Sequence, residues 1–211
     1  MRIAILLYEN FTALDAIGPY EVLSRLPEAQ ICFVARERGP KRTDTGGLGV
    51  LADYTLEELP TAEILLIPGG PGSDAAGEDG LVVDWIRKLH TTSRWTTSVC
   101  TGSLVLAAAG VLDGIEATTH WAFHDRLREL GAKPVEERVV ERGKIVTAAG
   151  VSSGIDMALR LAEHEAGADF ARALQLGIEY DPDPPFDCGS PSKAPPALVE
   201  LVRSTMRPKG A

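Results

Sequence analysis

Cys100 stands where an apolar run gives way at once to a helical pattern, in Trp95-Thr96-Thr97-Ser98-Val99-Cys100-Thr101-Gly102-Ser103-Leu104-Val105-Leu106. A strand that turns sharply into a helix presents the residue at the turn, and the small residues Gly102 and Ser103 let that turn be tight. The serine-type G-x-S-x-G pattern is not matched literally. A thiol at such a place faces unpaired backbone N–H groups and the positive end of a helix dipole. Both favour thiolate, so the position predicts a nucleophile with a lowered pKa. The plain alternative is a buried cysteine that closes a strand.

Three further segments carry groups that such a nucleophile needs. Asp15 sits among Ala13, Leu14, Ala16 and Ile17, and a carboxyl in apolar surroundings holds its proton to higher pH. It can then exchange a proton with a thiol; helix capping is the simpler role, and Glu21 is a rival carboxylate. Ile64-Leu65-Leu66-Ile67 runs into the bend Pro68-Gly69-Gly70-Pro71-Gly72. Glycines there let backbone N–H groups approach a ligand, so the amides of this bend and of Thr101 are candidates for an oxyanion-type hole. No GKS/T follows, which argues against a phosphate loop. The junction Ala149-Gly150-Val151-Ser152-Ser153-Gly154-Ile155-Asp156 leaves room for a ligand beside Val151, with Ser152 or Ser153 and Asp156 expected to cap the next helix.

Of the four histidines, His90 and His164 are expected at the surface, and His120 is either a base or, the simpler reading, the maker of a structural hydrogen bond. His120 and His124 lack a fitting carboxylate, so no metal site is expected. Cys32, in Gln30-Ile31-Cys32-Phe33-Val34, reads as a small core side chain, and Cys188 lies in a proline-rich coil. No CxxC pair occurs, and three cysteines do not close a disulfide framework.

The elements that must position these groups alternate. Strand-like runs fall at 2–8, 31–35, 64–67, 96–99, 115–119 and 145–149, and helical patterns at about 18–26, 81–90, 101–109, 121–130, 153–166 and 168–178. The first and third runs are almost wholly apolar, as in strands buried on both faces of a parallel sheet. Gly18-Pro19 suits a first helical turn, and Gly110 and Gly131 suit helix ends. Segments 48–52 and 135–149 read as antiparallel excursions, the second turning at Arg142-Gly143. The pattern predicts an α/β fold, a doubly wound, mostly parallel sheet flanked by helices, with ligands at the carboxyl ends of the strands. Residues 181–196 hold six prolines and read as an extended surface segment, before a last short helix at about 197–206.

Composition narrows the function class. The chain has 211 residues, 45% hydrophobic and 24% charged, with 21 basic against 30 acidic side chains and a net charge of -9. A net negative chain without a Lys/Arg run is a poor nucleic-acid binder. The longest apolar runs are far too short to span a bilayer, and the start lacks the pattern of a signal peptide. A soluble cytoplasmic protein is expected.

Taken together, Leu14-Asp15-Ala16-Ile17-Gly18-Pro19, Pro68-Gly69-Gly70-Pro71-Gly72, Cys100-Thr101-Gly102-Ser103, Ala117-Thr118-Thr119-His120-Trp121 and Ala149–Asp156 resemble the ThiJ/PfpI superfamily with its class I glutamine amidotransferase-like fold. With Ile178-Glu179-Tyr180-Asp181-Pro182-Asp183-Pro184-Pro185-Phe186 added, they are most similar to its isocyanide (isonitrile) hydratase group. The resemblance spans about residues 1–190, as a single domain, with 191–211 as an extension. It implies a flavodoxin-like fold, a nucleophile elbow at Cys100, a homodimer, and no metal or organic cofactor.

It also implies roles for particular residues. Cys100 takes the nucleophile's position, Asp15 that of its acidic partner, and the amides of Gly70 and Thr101 that of the anion-binding backbone; Gly69, Val151 and His120 are the pocket candidates. Protease-like members carry His after the nucleophile, where this chain has Thr101, and glutamine amidotransferases carry a His followed by Glu late in the chain, where this one has Gly150-Val151-Ser152-Ser153. Neither activity is expected. The related AraC-type regulators continue into a helix-turn-helix domain, for which the 21 residues after 190 are too few. The implied reaction converts an isocyanide to an N-substituted formamide through a Cys100 thioimidate. Glyoxalase- or deglycase-like chemistry on α-oxoaldehydes, and a cysteine redox sensor without turnover, are the alternatives.

Overall fold

The computed structural model describes residues 1–206. Strand β1 (Arg2–Leu6) leads into α1 (Ala13–Leu23), followed by β2 (Gln30–Ala35), the hairpin of β3 (Gly39–Arg42) and β4 (Gly49–Ala52), and β5 (Tyr54–Thr55). β6 (Ile64–Ile67) is followed by α2 (Ser73–Glu78) and α3 (Gly80–Thr92), and β7 (Trp95–Val99) by α4 (Gly102–Ala108). Next come β8 (Glu116–Ala117), a 3₁₀ turn at Trp121–Phe123, α5 (His124–Glu129), β9 (Lys133–Pro134), β10 (Val139–Arg142) and β11 (Ile145–Ala148). Three helices close the chain, α6 (Ser153–Ala166), α7 (Ala168–Gly177) and α8 (Pro196–Met206). Residues 207–211 of the expected extension lie outside the described residues.

Seven strands form the central sheet in the order β10-β11-β7-β6-β1-β2-β5. All neighbours are parallel except β10 with β11. The chain builds outward from β1 in one direction through β2 and β5, and in the other through β6, β7 and β11. The reversal between β1 and β6 is the switch point at which such sheets open a crevice at their carboxyl ends. Helices cover both faces, which explains the continuous apolar runs: Ile3–Leu6 and Ile64–Ile67 are all 0% exposed. Each such Ile or Leu contributes about 1.5–3 kcal/mol when fully removed from water.

Two expectations are corrected. The first helix starts at Ala13, so Pro19 lies inside it rather than in its first turn. Packing against α6 outweighs the lost backbone bond: a side chain at Gly18 would meet Ile155, and one at Gly154 would meet Pro19 Cγ at 3.1 Å. The run 115–119 is not a strand of the central sheet. Only Glu116–Ala117 is extended, and it pairs with Lys133–Pro134 in a separate two-stranded ribbon. The antiparallel excursions form as expected; 49–52 pairs with 39–42, a partner the sequence did not suggest. Segment 181–196 is largely exposed. No described helix is long and apolar enough to cross a membrane.

Candidate active site

Four adjacent strands, β11, β7, β6 and β1, end side by side, and the segments that follow them carry Val151, Cys100 and Thr101, Gly69 and Gly70, and Asp15, with Thr119 and His120 added from the segment after β8. At the end of β7, Cys100 adopts φ 56°. For a residue with a side chain this left-handed conformation costs on the order of 1–3 kcal/mol and persists only where the surroundings hold it. They do so here at both ends of the residue. The Cys100 N–H donates to the carbonyls of Ala148 (3.1 Å) and Ala149 (2.9 Å). The Cys100 carbonyl accepts from Ser103 Oγ (3.1 Å) and Thr119 Oγ1 (3.0 Å). Gly102 is required because a Cβ there would strike the Ile67 carbonyl oxygen. This is the elbow expected from the sequence.

Asp15 lies in the first turn of α1 and is 0% exposed. Its Oδ2 accepts from the Gly69 N–H at 2.9 Å. It caps nothing; the capping position is Thr12, whose side chain makes no cap bond. Its carboxyl and the Cys100 thiol each shift the other's titration, and its Oδ1 is buried with no hydrogen-bond partner. Burial raises the Asp15 carboxyl to about 7; the Gly69 N–H and the thiol pull it down, and Asp44 pushes it up again. Glu21, the rival carboxylate, is exposed and paired with Arg25.

The thiol departs from expectation. Burial, and then the Asp15 carboxylate, push Cys100 far above the ordinary thiol range, while the N–H groups of Val151 and Thr101 that face the sulfur pull it down by less. The helix-terminus argument named one of the two donors, Thr101, did not name Val151, and lost to desolvation, since Cys100 is only 6% exposed. The two groups therefore behave as one coupled unit that loses its first proton near neutrality.

The glycine bend is fixed by contact rather than left open. A Cβ on Gly69 would fall on the Thr101 nitrogen and within 2.7 Å of Thr101 Oγ1. We expect Gly69→Ala to destabilise the fold by about 1–3 kcal/mol, the usual cost of overpacking, read as a lower urea midpoint. Gly70, at φ 133°, needs glycine. Its N–H donates to Thr101 Oγ1 at 2.8 Å and is not free for a substrate anion. The backbone donors at the sulfur are thus Thr101 and Val151, not Gly70.

His120 is brought to the edge of this group, where a Cβ on Gly150 would lie 2.8 Å from its Cδ2. Its Nδ1 accepts from the Ala122 N–H at 3.3 Å, and burial, with His124, lowers it to about 4. It is a neutral structural cap. The expected cap on α6 does not form. Ser152 makes no cap bond and instead accepts from Arg138, which also pairs with Asp156 at 2.6 Å. His90 is half-buried, not superficial, and its Nδ1 lies 2.9 Å from Thr96 Oγ1. Sequence reading missed Tyr8 and Thr119. Tyr8 sits two residues past the end of β1, where the carboxyl-end rule would have drawn attention to it.

The raised carboxyl has a consequence for stability. An unfolded aspartate titrates near 3.9, and folded Asp15 titrates at about 7. Between these values the folded state binds the extra proton, so stability falls as pH rises from about 4 to about 7. Asp15→Asn stays neutral throughout. It should gain at least about 1 kcal/mol over the native protein at pH 8 and lose that gain by pH 4, in paired urea titrations.

The DJ-1/PfpI family profile matches residues 1–164. An isonitrile hydratase of Pseudomonas putida is 45% identical over 208 residues, covering 99% of this chain and 91% of that protein. A glutathione-independent glyoxalase of Caenorhabditis elegans is 25% identical over 79% of this chain and 89% of its own length. Among solved structures, a ThiJ/PfpI family protein from Pseudomonas syringae superposes with a TM-score of 0.93 at 36% identity, covering 97% of this chain and 85% of that one.

Proposed function

The chain belongs to the DJ-1/PfpI family, and on that premise we propose that it is an isocyanide hydratase, converting R–N≡C and water to R–NH–CHO. The observation that carries this reading is the Cys100 thiol held at a strained elbow beside a buried carboxyl that titrates near neutrality. The near full-length similarity to an isonitrile hydratase supports it. Cys100 is buried, at 6% exposed, and an isocyanide, with its electrophilic carbon at the tip of a slim linear group, is the kind of substrate so narrow a reach admits.

In the singly protonated pair the proton rests mainly on sulfur, because Asp15 is the stronger acid. As sulfur attacks the terminal carbon, its proton passes to Asp15, which delivers it to the carbon. The S–C and C–H bonds form, one C–N bonding pair becomes the nitrogen lone pair, and the product is the thioimidate R–N=CH–S–Cys100. Water then adds to that carbon as Asp15 takes one of its protons and passes it to nitrogen. The C–S bond breaks as the new hydroxyl becomes the carbonyl, that hydroxyl's proton returns to sulfur, and the formamide leaves. The Thr101 and Val151 N–H groups face the sulfur and stabilise its charge as it leaves. No step calls on a metal or organic cofactor.

The test is formamide formation from a panel of aryl and alkyl isocyanides, with methylglyoxal assayed in parallel. Formamide without lactate supports the reading; lactate without formamide favours the glyoxalase alternative and overturns it. We read the protein as a homodimer, as the family resemblance implies, and Leu176, Phe186 and Leu201, 82%, 77% and 59% exposed, are apolar side chains that a second copy could cover. A nucleophilic thiol persists best in a reducing compartment, which supports a cytoplasmic location.

A further inference from the structure

The Pro68–Gly69 peptide is hydrogen-bonded at both ends by side chains from other segments. Its N–H donates to Asp15 Oδ2 at 2.9 Å. Its carbonyl accepts from Tyr8 Oη at 2.6 Å. A peptide is a rigid plane, so the two bonds are coupled. The next peptide is held by the Thr12 N–H on the Gly69 carbonyl (2.8 Å) and by Thr101 Oγ1 on the Gly70 N–H (2.8 Å), and the Pro68–Gly69 plane has Tyr8 and Asp15 as its own two side-chain partners. Tyr8 itself is well held. Its ring packs against core residues on both faces of the sheet, and a Cβ on Gly72 would lie 3.0 Å from its Cδ2. Nothing in the reaction scheme uses the Tyr8 hydroxyl.

We propose that Tyr8 is a positioning residue for Asp15: its hydroxyl pins the Pro68–Gly69 peptide and polarises it, so that the Gly69 N–H stays aimed at Asp15 Oδ2. A donor on a carbonyl strengthens the N–H of the same peptide as a donor, by roughly 10–30% per bond. The bond gained stabilises the Asp15 carboxylate and so sets how the shared proton divides between carboxyl and thiol. The charged and titratable groups around this pair are Cys100 on the elbow, Asp44 after β3, Asp74 on α2 and Tyr8, with His120, lowered to about 4 by burial, at the edge. None of them is a cation near neutral pH, which leaves the Gly69 N–H to hold the carboxylate's charge. The inference rests on the Cys100–Asp15 pair but not on the identity of the substrate.

The test is the pH profile of Cys100 alkylation by iodoacetamide, followed on the Cys100 peptide by mass spectrometry because Cys188 is partly exposed. Tyr8→Phe keeps the ring and removes the donor. Asp15 then becomes a weaker acid. The acid-side midpoint should move up by about 0.3–1 pH unit, with the plateau rate rising by the matching roughly 2–10-fold. Rates well below the midpoint should coincide with the native ones, since there Asp15 is already protonated. In an Asp15→Asn background the same substitution should shift nothing. An unmoved midpoint in Tyr8→Phe, or an equal shift in the Asp15→Asn background, overturns the proposal. Because no isocyanide is used, failure here is distinct from failure of the hydratase reading.

Discussion

Cys100→Ala is expected to lose formamide production by at least about 10⁴-fold, the scale seen when a covalent nucleophile is removed. The loss should be chemical rather than structural. The bonds that hold the elbow run through the backbone N–H and carbonyl of residue 100, and alanine keeps both. Alanine also relieves the burial of a polarisable thiol beside a carboxyl. The variant should therefore unfold at a urea midpoint close to that of the native protein while its product, followed by chromatography, stays at background. Cys100→Ser provides a second check. A hydroxyl is too weak an acid to exchange its proton with Asp15, so serine should be about as inactive as alanine. Turnover near the native rate in either variant would show that sulfur does not form the bond to carbon.

Asp15→Asn should reduce turnover by about 10²–10⁴-fold, the range for loss of a general acid–base group. Its fuller signature is a pair of opposite effects. The Asp15 carboxylate is the second cause, after burial, of the raised thiol. Removing its charge makes the thiol easier to ionise, so Cys100 in Asp15→Asn should react faster with iodoacetamide while hydrating isocyanides more slowly. A carboxyl that merely shaped the pocket would not separate these two rates. The pH profile supplies the sign. Below about 7 both groups hold protons and native activity falls; as pH rises through about 7 the pair loses one proton and activity should rise to a plateau. The limb near 7 should vanish in Asp15→Asn. A native profile flat from pH 5 to 9 would sink the shared-proton mechanism.

Much of this molecule was legible one residue at a time. The alternation of apolar runs with helical patterns marked a doubly wound sheet, because strands covered on both faces must be apolar throughout, as Ile3–Leu6 and Ile64–Ile67 are. Cys100 was legible because a strand followed at once by small residues and a helix leaves one side chain at the turn. Asp15 and Gly69 were legible because both follow strands, and strand ends on one edge gather. The run 115–119 misled because local apolar character does not say which sheet a strand joins. Only pairing with Lys133–Pro134 decides that.

What the linear chain determined was therefore the kind of chemistry and the residues at hand for it: a thiol at a turn, a carboxyl among alkyl groups, amides without side chains around them. Tertiary structure alone decided their charge and their partners. A helix terminus argues for thiolate, but the energy of an ion depends on how much water surrounds it, and that is fixed only when four loops close over Cys100 and Asp15. The same closure gave the Gly70 N–H to Thr101 and turned Val151 toward the sulfur. Local order in sequence sets which groups can meet; solvent exclusion and hydrogen-bond geometry, which depend on residues far apart in the chain, set what those groups do.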